Sequence, residues 1–136
     1  MRKRSTNALS FRSVASRWAV TSASRSGTWP AIAIRARSHP GTTCGWAFHN
    51  GRDVTHSGFW LLRVARNESA GMRWLRLDGY LGDAIREYAP TLLVYEQSGQ
   101  TRGQAAKEVY GGIAAAIQRA GETHGLNYTS IHWAPV

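Results

Sequence analysis

Two residues carry the strongest chemical signals in this chain. The first is Glu96, which follows "TLLVY" at 91–95, a continuous apolar run with no alternation. Such a run reads as a strand buried on both faces, in the middle of a sheet covered by helices. A carboxylate at the C-terminal end of a central strand is where open α/β sheets place their ligands. A solvated residue at a strand end is the competing reading. The second is His39, at the entry to the small-residue turn in "SHPGTTCGWAF", residues 38–48. A turn of this kind brings backbone close to phosphates or metal ions, and a carboxylate is the natural residue at its entry. Imidazole there suits Mn²⁺ or Zn²⁺ better than Mg²⁺.

Other residues are candidates for binding. Thr42 and Thr43 lie in the turn, and Arg102 and Lys107 follow the Glu96 strand, where they could meet nucleic-acid phosphates. Ordinary solvated charge is the plainer reading of Arg102 and Lys107. Trp46, Trp60, Trp74 and Trp133 could stack on bases, but their places in strands and on a helix face favour core packing. Cys44, His49 and His56 have no recognised zinc-ligand spacing.

The elements that must position these residues begin with "AIAIRAR" from residue 31, an alternating strand candidate. Asn50-Gly51 is a two-residue hairpin signal between strands at about 45–49 and 53–60, because both positions tolerate positive φ. "MRWLRLDGYLGDAIREYAP" places Trp74, Leu77, Leu81, Ala84, Ile85 and Tyr88 on one helical face, and Pro90 ends the helix. A second helix spans about 103–123, with a small apolar face of Ala105, Ala106, Val109, Ile113, Ala116, Ile117 and Ala120. Its mid-helix Gly111-Gly112 pair reads as close packing. Gly125 fits a C-cap, and "NYTSIHW" is a last strand. The order is β-β-β-α-β-α-β. The first three strands form an antiparallel meander, and the later ones run parallel to the first through helical crossovers.

The chain has 136 residues, enough for one domain, and a net charge of +9. That excess is uneven. Residues 1–52 hold eight Arg, one Lys and no acid, while residues 53–136 hold eight basic and eight acidic residues. The first thirty residues are rich in Arg and Ser and show no sustained period. They read as a basic, disordered extension: a DNA-touching arm, an organelle transit peptide, or unselected sequence from a misassigned start or shifted frame. A secretory signal is excluded by the lack of an apolar core after the basic start. No apolar run approaches the ~18 residues that would span a bilayer. A lone cysteine, Cys44, rules out an intramolecular disulfide and fits a reducing compartment.

The element order, together with "PGTTCGWAF", "SGFW", "ESAGMRWLRL", "TLLVYEQ", "RGQAAKEVYGGI" and "HGLNYTSIH", resembles the RuvC-type Holliday-junction resolvase family, particularly its phage and prophage relatives. The resemblance covers about residues 39–136. It implies an α/β, ribonuclease H-like fold with a mixed five-stranded sheet in residues 31–136. It also implies a cytoplasmic, bacterial or phage-encoded endonuclease acting on branched or double-stranded DNA, with Mg²⁺ or Mn²⁺ as cofactor and a homodimer as the expected assembly. Two metal ions would activate water and stabilise the leaving oxygen.

Carried over residue by residue, Glu96 matches the family's Glu, and His39 falls on its first Asp. The family's final acidic helix has no counterpart in this sequence, and "AIRARS" is more basic than the family's first strand. The resemblance therefore implies a resolvase-like nuclease whose metal binding and cleavage are impaired here, or a non-catalytic DNA-binding remnant. A gene that has decayed or been misread would account for both departures. A nucleotide-binding ATPase of the same fold is suggested only by "GTT".

Overall fold

The structure is a computed structural model that describes residues 30–36, 43–97 and 103–132. Its elements are β1 (Ala31–Ala36), β2 (Thr43–His49), β3 (Val54–Leu61), α1 (Met72–Tyr88), β4 (Leu92–Gln97), α2 (Gln104–His124) and β5 (Asn127–His132). The five strands form one sheet in the order β3-β2-β1-β4-β5. β1 pairs antiparallel with β2, and β2 with β3. β1 and β4 run parallel, as do β4 and β5. A parallel neighbour needs a crossover long enough to return the chain to the same sheet end, and here the helices supply it.

The two faces of the sheet differ. One buries Ile32, Ile34, Cys44, Phe48, Leu93 and Tyr95 against Leu77, Leu81, Ala84 and Ile85 of α1 and Val109, Ile113, Ala116 and Ile117 of α2. The other holds Ala31, Ala33, Ala47, Val54, Leu92 and Val94, with Ile131 beside them. Period-2 alternation along each strand sorts the residues between the faces. β4 belongs to both cores, as its unbroken apolar run requires.

Two sequence expectations change in detail. The β2–β3 connection is a four-residue loop, Asn50 to Asp53, because His49 pairs with Val54 across a register shift. Only Gly51 has positive φ there, at 99°. Asn50 stays in ordinary backbone space and uses its side chain instead: Oδ1 accepts from the backbone N–H of Arg52 (2.9 Å) and Asp53 (3.0 Å). The two-residue turn is thus replaced by an asparagine-organised loop. Helix α1 ends at Tyr88, just before Pro90, as the proline predicts. Ala89 adopts a left-handed conformation (φ 47°) and returns its N–H to the Ile85 carbonyl. In α2, Ala105 is exposed and Ala106 half-buried, whereas Tyr110 and Gly121 are buried. Gly125 caps α2 at φ 67°, as its position predicts.

Trp46, Trp60 and Trp74 are half-buried against the helix-side core, the packing role expected of them. Trp46 stacks on Trp60 at 5.6 Å, and Trp60 on Tyr80 at 5.4 Å. Trp133 lies outside the described residues. The segment between β3 and α1 is held by Arg76, which pairs with Glu68 and also donates to the Arg63 carbonyl at 2.9 Å. That guanidinium and the Ala65 N–H hold the Glu68 carboxyl below the usual carboxylate range. No helix among the described residues is long and apolar enough to cross a membrane.

Candidate functional site

Glu96 lies at the C-terminal end of β4 and is 6% exposed. The parallel register pairs Ile34 of β1 with Tyr95 of β4, which places Arg35 level with Glu96 on the adjacent strand. Both follow by two residues the paired Ala33 and Val94, so alternation puts their side chains on the same side of the sheet as each other. Arg35 Nε lies 3.3 Å from Glu96 Oε2, and the arginine side chain is 31% exposed. From α2, Tyr110 Oη donates to Glu96 Oε1 at 3.1 Å. Two elements that follow one another in the chain, β4 and α2, and a third distant in sequence, β1, thus converge on one carboxylate.

The physical logic is charge compensation. A carboxylate this buried is costly unless paired and hydrogen-bonded. The guanidinium supplies the opposite charge, and the phenol supplies a donor to the other oxygen. Nearby, Gln118 Nε2 donates to Tyr95 Oη at 3.0 Å, tying α2 to the same end of β4.

The remaining candidates distribute as follows. His39, Thr42 and Arg102 lie outside the described residues. Thr43 opens β2, half-buried, opposite Leu61 of β3. Lys107 is exposed in the first turn of α2, one helical turn before Tyr110, and its N–H donates to the Gly103 carbonyl at 3.0 Å. Cys44 and His49 are five positions apart on one strand and point to opposite faces, so they cannot share a zinc ion with His56. Cys44 is fully buried, and burial pushes its thiol up to about 12. A hollow of about 400 Å³ lined by Pro30, Thr91, Gly125, Leu126 and Asn127 lies at the opposite, N-terminal end of the parallel strands and takes no part in this site.

Sequence reasoning missed Arg35 and Tyr110. Arg35 sits at an alternating position of a readable strand, but its neighbour is set by the β1–β4 register. Tyr110 follows the predicted core residue Val109, and nothing local distinguishes it.

The residues described do not fit the divalent ion that the sequence resemblance implies. Mg²⁺ is a hard cation that takes oxygen ligands, commonly one or two carboxylates. Among the described residues no group of three His, Cys, Asp or Glu side chains could hold a metal. The one carboxylate at the strand end already faces a guanidinium and a phenol.

The mixed sheet, with its antiparallel meander and parallel strands joined by helices, is a ribonuclease H-like α/β fold. Within that fold the chain resembles the RuvC-type resolvases. RuvC of Thermus thermophilus, solved in complex with a Holliday junction substrate, aligns with a TM-score of 0.63 at 15% identity, covering 76% of this chain and 64% of that one. A second structure of Thermus thermophilus RuvC gives 0.60 at 14% identity, covering 76% and 63%. The chain therefore spans less than two thirds of the length of the RuvC structures it matches. No family model and no curated protein sequence matches it.

Proposed function

We propose that this chain is a resolvase-like DNA-binding protein, descended from a metal-dependent, structure-specific endonuclease, in which cleavage is impaired. The fold likeness supports the descent. The observation that carries the impairment is the Arg35 guanidinium standing 3.3 Å from Glu96, where a nuclease of this type would need a metal ion. Affinity would come mainly from phosphate contacts, supplied by the basic first 52 residues and aided by Thr43 and Lys107. His39, Thr42 and Arg102 belong to the same proposal by sequence position. A four-way junction is two-fold symmetric, so a homodimer is the expected binding unit. The setting would be the cytoplasm of a bacterium or of its phage-infected cell.

The test is a gel-shift comparison of a four-way junction with linear duplex over a salt series, run beside a cleavage assay in Mg²⁺ and Mn²⁺. The expected result is binding that weakens by a log–log slope of about −0.9 per phosphate neutralised, with no cleavage. A flat salt response removes the binding reading. Metal-dependent cleavage that Glu96→Gln abolishes restores an active nuclease and removes the impairment.

A further inference from the structure

We infer that Glu96 is a latent divalent-cation ligand, kept from metal by Arg35, whose guanidinium holds the ion's place. This deepens the proposed function at the same site but stands on the ion pair, not on DNA binding.

Glu96 is 6% exposed, and a carboxylate that buried needs a positive partner. In an ion-binding site the partner would come from solution. Here it is attached to the adjacent strand, level with the carboxylate through the β1–β4 register. A tethered partner acts at an effective concentration set by the scaffold, independent of the ion supply. It is also fixed in place, because the guanidinium is carried on the strand itself. A divalent ion would have to displace a fixed charge from Oε2 and, among the described residues, be held by one carboxylate.

The same geometry states what removal of the guanidinium should do. Neighbouring strands lie about 4.8 Å apart, so carboxylates at 35 and 96 could reach one ion between them. The Tyr110 hydroxyl, 3.1 Å from Oε1, adds a third oxygen at that place. Without an ion the two carboxylates would repel. Arg35→Asp should therefore be less stable than the native protein in EDTA and regain stability with Mn²⁺.

The experiment measures Mn²⁺ binding to the full chain by the loss of the free-ion EPR signal, together with melting curves in EDTA and in Mn²⁺. The native protein is expected to bind no Mn²⁺ through this site and to melt identically in both. Arg35→Asp is expected to bind Mn²⁺ and to melt higher in its presence, with both effects lost in Arg35→Asp/Glu96→Gln. Arg35→Gln, which removes the cation without adding charge, should bind more weakly than Arg35→Asp but measurably. Native Mn²⁺ binding that Glu96→Gln abolishes overturns the inference. So does the absence of binding in a folded Arg35→Gln together with Arg35→Asp. A protein that fails to bind junctions yet shows this Mn²⁺ pattern loses the proposed function and keeps the inference.

Discussion

The indole of Trp74 on α1 occupies the space that a side chain at residue 112 on α2 would fill. A Cβ built on Gly112 would lie 2.1 Å from Trp74 Cη2 and 2.2 Å from Cζ2. The neighbouring Gly111 has nothing within 4 Å of the same position. Of the Gly-Gly pair, one glycine admits the aromatic ring between the helices and the other is open to substitution. The close packing expected of the pair is therefore the work of Gly112 alone.

Gly112→Ala should accordingly destabilise the fold by about 1–3 kcal/mol, the range for overfilling a packed contact. Gly111→Ala should instead gain up to about 1 kcal/mol from helix propensity. Urea unfolding of the two variants checks the contrast, and equal effects would contradict the placement of Trp74.

Tyr110→Phe removes the hydroxyl from Glu96 Oε1 and leaves the ring in place. It is expected to cost about 1 kcal/mol, the net worth of a hydrogen bond. Combined with Glu96→Gln it should be non-additive, with a coupling energy on the order of 1 kcal/mol. A double-mutant cycle in urea measures this, and strict additivity would mean that the two groups do not interact in solution.

His49 gives the fold an acid sensitivity. It is 2% exposed, and its Nδ1 accepts from the Gly51 N–H at 3.0 Å, while Nε2 makes no hydrogen bond among the described residues. Burial lowers its pKa from the ordinary 6.5, partly opposed by the Asp53 charge and the Arg52 backbone. The unfolded chain then binds a proton that the folded one refuses. Stability from this group is full above about 6.5 and declines as pH falls through that value toward the lowered folded pKa. Protonation would also place a hydrogen on Nδ1, against the Gly51 N–H. Unfolding midpoints at pH 7.5 and 5.5 should differ in the native protein and differ less in His49→Gln. An unchanged difference would assign the acid sensitivity to other groups.

Much of the fold was legible from local pattern. The unbroken apolar run at 91–95 announced a central strand, the face from Trp74 to Tyr88 a helix, and Gly125 a cap. Element order then implied a meander followed by parallel strands, because short connections give antiparallel pairs and helical ones parallel pairs. Glu96 was legible too, as a charge at the end of an apolar strand. The errors lay where side chains replace backbone habit. Asn50 organises the hairpin loop through its Oδ1, and in α2 Tyr110 joins the core while Ala105 stays exposed.

What the sequence by itself determined is the set of elements, their order, and the presence of a carboxylate at a strand end. Spacing along the chain is enough for those, since helix and strand periods are local. What only the tertiary structure decided is that carboxylate's surroundings. Arg35 lies sixty-one positions before Glu96 in the chain and is brought level with it by the β1–β4 register. Tyr110 reaches it from the start of a helix packed over the sheet. Register and helix placement come from packing of the whole core, and no local pattern encodes them. The pairing of Glu96 with Arg35 and Tyr110 is for that reason visible only in the folded chain.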